Sequence, residues 1–118
     1  MNIVIPILLL LHGIAHLVGF VVPWQLTKNS RQAYKTTIIG GRDVGPSGIR
    51  LIGIFYLVLA LAFAGMAVGA WMETPWWPRY TLFISGMSLF MCIVNWPDTK
   101  IGLALNLMII AYLMITGG

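Results

Sequence analysis

The stretch IVIPILLLLHGIAHLVGFVV, residues Ile3–Val22, decides the fold of this chain. Apart from His12 and His16 it contains only apolar residues, glycine and one proline. A helix rises about 1.5 Å per residue and the hydrocarbon layer of a bilayer is about 30 Å thick, so about 20 apolar residues suffice to cross it. The stretch therefore predicts a membrane-spanning helix that carries two histidines inside the membrane.

The composition of the whole chain agrees with this interpretation. Of 118 residues, 59% are hydrophobic and only 8% are charged, whereas soluble domains contain about 25% charged residues. A chain of this length cannot hide so much apolar surface from water. We therefore expect residues 1–118 to form a single integral membrane domain. The net charge of +4 comes from residues in the loops and at the ends of the apolar segments, where a membrane protein carries its cytoplasmic anchor, so no nucleic-acid partner is expected.

Four apolar segments follow one another along the chain and predict four spans. They cover approximately residues 3–22, 48–72, 79–95 and 101–116. Because two of the three connections are short, we expect an all-α fold, an antiparallel four-helix transmembrane bundle. The long connection, residues 23–47, leaves two alternatives open. Residues Asn29–Ile39 can form a short interfacial helix, or the β-branched run before Gly40 and Gly41 can form an extended turn.

The basic residues are distributed unevenly between the two ends of the predicted spans. One side holds Lys28, Arg31, Lys35, Arg42, Arg50 and Lys100. The other side holds only Arg79. Since Lys and Arg concentrate in cytoplasmic loops, the pattern predicts that loop 23–47 is cytoplasmic and that both termini lie outside the plasma membrane.

Polar side chains fall at matching depths in three of the spans. His12 and His16 share one face because they are separated by about one helical turn. Counting from the cytoplasmic ends places His16, Ser88 and Asn106 in one layer, and His12 deeper, level with Ser85. Ionisable residues inside a membrane usually mark functional sites, so these five are the candidate ligand-binding residues. The alternative is that they only hold the helices together by hydrogen bonds.

Small residues in the second span predict close helix packing. Gly65 and Gly69 have the small-xxx-small spacing that lets membrane helices approach, and Gly53 lies on the same span. This spacing is common in membrane helices and names no partner.

The polar residues limit the chemistry that one chain can perform. A metal site needs three or four ligands, and the spans contain no Asp or Glu and one cysteine, Cys92. No complete metal site is therefore expected within one chain, and one shared between subunits stays open. Both histidines lie on one helical face, so one chain cannot clamp a haem from two sides. A haem or chlorophyll-type pigment with one axial ligand, or a quinone bonded by His16 and Asn106, stays open. We find no catalytic motif and predict no catalytic residue.

The order of short motifs resembles a group of small four-helix bacterial membrane proteins. The first span reads His-Gly-x-x-His-x-x-Gly-Phe, residues 12–20, and the loop contains Tyr-x-Thr-Thr and Gly-Gly-Arg, residues 34–42. Trp76-Trp77, Trp96-Pro97 and Asn106 follow. The chain is also loosely similar to DoxX-type four-helix proteins. The resemblance implies a four-helix fold in the bacterial inner membrane and implies no reaction.

These observations favour a non-catalytic role, although they leave an enzymatic role open. We expect a small accessory or scaffold subunit of a membrane assembly, or a homo-oligomer, that contacts a pigment, quinone or lipid through the His/Asn/Ser residues. Membrane lipids and other membrane subunits are the expected partners. The alternative is a small transporter-like or redox-linked protein with a ligand or proton site at His12 and His16.

Overall fold

The computed structural model describes residues 3–26, 34–96 and 99–116. Its regular elements in these ranges are helices: α1 (Val4–His16), α2 (Val18–Val21), α3 (Gly45–Trp71), α4 (Trp77–Val94) and α5 (Lys100–Ile115), with one 3-10 turn, Ile39–Gly41. The prediction of an all-α fold is confirmed at this level. The expected spans were 3–22, 48–72, 79–95 and 101–116. Lys28 and Arg31 of the basic loop, and Pro97 of the Trp-Pro motif, lie outside the described residues.

Three stretches of helix are long and apolar enough to cross a membrane: Val4–Val21, Gly45–Trp71 and Trp77–Val94. Helix α5 is also apolar but has only 16 residues. By length and composition, the chain therefore has the helices of a membrane protein. Helices α3 and α4 each begin with a proline in the first turn, where its missing N–H group would have had no helical partner.

Helices α1 and α2 follow one another with a single tightened turn between them. Leu17 keeps helical backbone angles, with φ −62° and ψ −27°. Its N–H group donates to the carbonyl oxygen of Ile14 at 3.0 Å, three residues back rather than four, as in a 3-10 turn. The first span is therefore continuous in direction although its hydrogen-bond pattern changes at Leu17.

The glycines of the first span bring it close to α3. A Cβ atom at Gly13 would lie 3.0 Å from the carbonyl oxygen of Ala60 and 3.0 Å from Cβ of Phe63. A Cβ atom at Gly19 would lie 2.5 Å from Cγ of Tyr56. Such distances leave no room for any side chain, so the contact between the two helices depends on glycine at both positions.

The helices pack in a chain of neighbours, with α1 and α2 against α3, α3 against α4, and α4 against α5. An apolar core lies between α1, α3 and α5, made of Leu9, Phe63, Ala67, Ala70, Ile109 and Leu113. The outward faces expose many large apolar side chains, among them Leu61, Phe83 and Ile115. Surface of this kind is expected where a membrane or another protein covers it.

The part of the long loop that the structure describes is an extended turn. The N–H of Ile38 donates to the carbonyl oxygen of Arg42 at 2.8 Å, and the N–H of Val44 donates to that of Thr36 at 3.0 Å. Gly40 and Gly41 have φ values of 77° and 74°, which favour glycine. Of the proposed interfacial helix Asn29–Ile39, residues 29–33 lie outside the described residues, and residues 34–38 are not helical.

Asp43 holds the end of this turn against the start of α3. Its carboxylate accepts a hydrogen bond from the N–H of Gly45 at 2.8 Å. This backbone contact, together with a hydrogen bond to the side chain of Thr36, lowers the pKa of Asp43 from its ordinary value.

Candidate functional site: a histidine network beside a cavity

The two histidines lie at the centre of the molecule, with exposed fractions of only 2% for His12 and 4% for His16. Their rings are nearly perpendicular, with centroids 4.6 Å apart. Phe63 of α3 contacts both rings, at centroid distances of 4.8 Å and 5.2 Å. The position of the pair is thus fixed by the close approach of α1 to α3, which the neighbouring glycines permit.

A backbone carbonyl of α1 determines which nitrogen of His16 carries the hydrogen. Nδ1 of His16 lies 2.7 Å from the carbonyl oxygen of His12. Because a carbonyl oxygen can only accept, Nδ1 must carry the hydrogen, and the Nε2 atom of a neutral ring is then an acceptor. Nε2 lies 2.5 Å from Oγ of Ser88, so the Ser88 hydroxyl donates to His16.

The same reasoning assigns the donor and the acceptor of each remaining hydrogen bond. Since the single hydroxyl hydrogen of Ser88 is used, its oxygen accepts from Nδ2 of Asn106 at 2.8 Å. The amide oxygen of Asn106 therefore faces His12 and accepts a hydrogen bond from Nε2 of that ring at 2.9 Å. We name this set of four residues, His12, His16, Ser88 and Asn106, the histidine network. The hydrogen bond from His16 to the backbone carbonyl, together with the neutral state of both imidazole rings, determines the direction of every hydrogen bond in the network.

One acceptor of the network has no protein partner. With its hydrogen on Nε2, His12 carries a lone pair on Nδ1, and this buried atom has no hydrogen-bond partner among the described residues. Buried polar atoms without partners are rare in folded proteins and call for an explanation.

The structure brings together four of the five candidate ligand-binding residues. The fifth, Ser85, lies on the same buried face of α4, with an exposed fraction of 0%. Its hydroxyl has no hydrogen-bond partner within ranges 3–26, 34–96 and 99–116, and neither does the hydroxyl of Thr81 one turn earlier. Ser85 is thus close in sequence and face to the histidine network but is not bonded into it.

A second group of hydrogen bonds, which the sequence did not reveal, adjoins the network. The Tyr56 hydroxyl donates to the carbonyl oxygen of Met91 at 2.9 Å, and Nδ2 of Asn95 donates to the Tyr56 oxygen at 3.0 Å. The Tyr56 ring lies 5.7 Å from that of His16. Asn95 falls two helical turns after Ser88, and this spacing was the signal available to find it.

A cavity of about 310 Å³ opens beside the histidine network. Its polar lining comes from His12, His16, Tyr56, Cys92, Asn95 and Thr99. Apolar residues of α2, α3 and α5, such as Val18, Ile52 and Leu105, form other walls, and Lys35 and Thr37 of the long loop line the same space. Its volume falls at the lower end of the range of small-molecule sites, about 300–1,000 Å³, and its mixed lining is typical of them.

The three glycines predicted to pack helices have different surroundings. A Cβ atom at Gly53 would lie 2.9 Å from the Trp24 indole, and one at Gly69 would lie 2.8 Å from Trp76. Apart from the neighbouring backbone of α3 itself, no atom of the described chain lies within 4 Å of a Cβ atom at Gly65. Gly53 and Gly69 therefore pack directly against tryptophan side chains of the same chain, and Gly65 faces outward.

The donor set of the site does not suit a metal. Among the residues that the structure describes, no three His, Cys, Asp or Glu side chains come together in a group that could hold an ion. An axial bond to haem or chlorophyll needs a histidine lone pair. The lone pair of His16 accepts a hydrogen bond from Ser88, and the lone pair of His12 is buried. The site as built is therefore better suited to hydrogen-bonded ligands than to a pigment.

Searches of protein-family models, curated proteins and solved structures found no match to the chain. The resemblance to small bacterial membrane proteins and to DoxX-type proteins stays a prediction.

Proposed function

We propose that the chain is an antiparallel four-helix transmembrane bundle whose cavity binds the polar headgroup of a membrane-soluble molecule with an apolar tail, such as a quinone or a lipid. The bundle resides in the bacterial inner membrane, with both termini outside and the long loop in the cytoplasm. Its role is non-catalytic: it serves as a small accessory subunit, in contact with other membrane subunits or with copies of itself.

The cavity is the observation that carries the proposal. Its polar groups come from α1, α3 and α4, and its apolar walls include Ile52 and Leu105. An oxygen-bearing headgroup would contact the polar groups, and the apolar tail would lie along the apolar walls. Lys35 lines the cavity from the loop, so an anionic or carbonyl group near the mouth would be favoured by its charge.

Helix α5 is the fourth span of the proposed bundle. Its 16 residues extend about 24 Å, shorter than the hydrocarbon layer of about 30 Å. It packs against α4, and Ile101, Met108 and Ile115 are largely exposed on its outer side. A short span of this kind is accommodated by local thinning of the bilayer at modest cost.

Binding is tested by titrating the purified protein, in nanodiscs of phosphatidylcholine, with decylubiquinone and recording tryptophan fluorescence. We expect saturable quenching, which His16→Leu weakens about tenfold or more, equivalent to about 1.4 kcal/mol. Ile14→Ala, an exposed position of the same helix, should bind as the wild type does. In a second arm, phosphatidylglycerol replaces part of the phosphatidylcholine, and competition with the quinone would identify the lipid as the ligand.

Two outcomes would overturn the proposal. One is quenching that stays linear with quinone concentration in the presence and absence of phosphatidylglycerol, since this reports only partition into the bilayer. The other is equal binding by the wild type and by His16→Leu, provided that circular dichroism shows the same helix content for both proteins.

A further inference from the structure

Helix α5 meets the first span near one end of the molecule and separates from it toward the other. Leu9 of α1 shares the apolar core with Ile109 and Leu113 of α5, and the hydrogen bond between His12 and Asn106 joins the same two helices. Beyond this bond, toward the long loop, α2 has no extensive contact with α5 in the described part of the chain. The first span and α5 therefore border a gap at the loop end of the helices.

The cavity of about 310 Å³ adjoins this gap. Both borders of the gap line it, with Ala15 and Val18 from the first span and Ile101 and Leu105 from α5. Ala15, Val18 and Ile101 are exposed, Val18 to 40% and Ile101 to 79%. The described lining residues of α3, α4 and the long loop are buried or half-buried. The cavity is therefore open on the side where the first span and α5 separate.

The rim of this opening is apolar and runs along the side of the helices. From Val22 back to Ala15 it extends about 10 Å along the first span. Ile14 and Leu107, on the outward faces of the same two spans, are exposed as well. Lipid tails are as apolar as leucine side chains, so such a rim is compatible with contact to the bilayer. In the transmembrane orientation proposed above, the cavity therefore opens sideways into the membrane.

The lining of the cavity favours a planar ring over a phosphate group. The rings of His16 and Tyr56 both line it, with centroids 5.7 Å apart, and flat rings pack well against aromatic side chains. Among the described lining residues, Lys35 is the one Lys or Arg side chain. Phosphate sites generally rely on the bidentate fork of arginine, so the lining suits an uncharged ring compound better than a phospholipid headgroup.

We propose that the gap between the first span and α5, which we name the lateral portal, admits the ligand from the cytoplasmic leaflet of the bilayer and holds its tail. The occupant is a membrane-dissolved quinone with a single apolar chain. Its ring lies among the polar side chains beside the histidine network, and its chain extends between Val18 and Leu105 into the hydrocarbon layer. This route rests on the binding function proposed above and narrows the ligand class to quinones.

Photolabelling maps the path of the tail. The probe is decylubiquinone with a diazirine in the middle of its decyl chain, irradiated with the wild type in phosphatidylcholine nanodiscs, and adducts are located by mass spectrometry. We expect the adducts that excess decylubiquinone suppresses to lie on residues 15–22 and 101–105. Such adducts on loop residues 35–37 instead would overturn the portal. Suppression by phosphatidylglycerol would assign the portal to a lipid and reject the quinone as its occupant.

A bulky side chain in the portal provides a second test. Ala15→Phe should weaken decylubiquinone binding, followed by tryptophan quenching, about tenfold or more, because the phenyl ring takes the space of the tail. Dimethoxy-methyl-benzoquinone, the same ring without a tail, should bind this variant as it binds the wild type. The matched control is Ala104→Phe, at an exposed position of α5 that is not part of the cavity lining. This control should bind both compounds as the wild type does.

Two results for Ala15→Phe contradict the portal, provided that circular dichroism shows unchanged helix content. One is undiminished binding of decylubiquinone. The other is an equal loss for the tailed and the tail-less quinone, which would place Ala15 in the headgroup site. If the wild type binds decylubiquinone saturably, either result rejects the portal alone. Linear quenching of the wild type, without adducts that decylubiquinone suppresses, rejects the proposed function together with the portal.

Discussion

At the scale of single residues, the decisive contact is the one between Nδ1 of His16 and the carbonyl oxygen of His12, 2.7 Å away. A carbonyl group cannot donate, so this bond determines which nitrogen of His16 is protonated. Every other donor in the histidine network follows from it. Two groups on α1 thereby orient Ser88 of α4 and Asn106 of α5, and the network ties three helices together with defined polarity.

A double-mutant cycle measures how strongly these hydrogen bonds couple the helices. We expect Ser88→Ala and Asn106→Leu to show a coupling free energy of about 1 kcal/mol, within the range found for hydrogen bonds between membrane helices. Stability would be followed by circular dichroism during unfolding with sodium dodecyl sulfate.

The matched cycle uses Ser85→Ala with the same Asn106→Leu change. Since the Ser85 hydroxyl has no protein partner among the described residues, its coupling to Asn106 should be close to zero, and Ser85→Ala alone should not destabilise. Equal coupling in the two cycles would contradict the network described here.

Part of this site could be predicted from the sequence. The spacing of His12 and His16 and the depth count from the helix ends place Ser88 and Asn106 beside them. The count placed Ser85 level with His12 but could not show that His12 bonds to Asn106 instead, because depth does not specify which partners a side chain meets. Nor could it show that Lys35 lines the cavity, since the path of a loop depends on tertiary packing.

At the scale of elements, the motif His-Gly-x-x-His-x-x-Gly has a physical explanation. The histidines face the interior of the molecule, and the glycines between and after them let α3 approach within contact distance. The Tyr56 ring lies directly over Gly19 and also reaches Met91 and Asn95 of α4. The motif thus couples the packing of two helices to the geometry of the site. The apolar runs alone predict the helices but not which faces meet.

Gly19→Ala should therefore destabilise the protein by about 1–3 kcal/mol, as overpacking generally does. Its Cβ atom would meet the Tyr56 ring at 2.5 Å, displacing the hydroxyl from Met91 and Asn95. The control is Gly65→Ala, for which nothing lies within 4 Å. There the higher helix propensity of alanine predicts unchanged or slightly raised stability, by up to about 1 kcal/mol. Thermal unfolding in detergent compares the two, and similar losses in both would refute this view of the α1–α3 contact.

The extended turn before α3 should respond to acid. The pKa of Asp43 is lowered by the N–H of Gly45 and then by the Thr36 side chain, so the ionised carboxylate stabilises the folded turn. This contribution is present above the ordinary pKa of 3.8 and is lost as pH falls through the lower value in the folded protein. Carbon-13 NMR of the Asp43 carboxyl group should give a titration midpoint below 3.8. Thr36→Val should raise that midpoint partway, and a midpoint at or above the ordinary value would disprove the contacts.

At the scale of the whole molecule, the two ends of the helices differ in charge and in cavities. The end with the long loop carries Lys35, Arg42, Arg50 and Lys100 and opens into the larger cavity. Among the described residues, the opposite end has one basic residue, Arg79, and a smaller apolar cavity of about 160 Å³. If Lys and Arg set the orientation, the larger cavity is reached from the cytoplasmic side.

Labelling with a membrane-impermeant maleimide tests this orientation and the number of spans together. In a Cys92→Ala background, we expect Arg42→Cys to react only in inside-out vesicles and Pro75→Cys only in right-side-out cells. Thr116→Cys separates three spans from four. It should react from the outside if α5 crosses the membrane and from the cytoplasm if α5 lies against the inner surface. Because α5 is shorter than the hydrocarbon layer, this last position decides the topology. Cytoplasmic labelling of Thr116→Cys would exclude the four-span bundle, and labelling of Arg42→Cys from outside would reverse the orientation of the larger cavity.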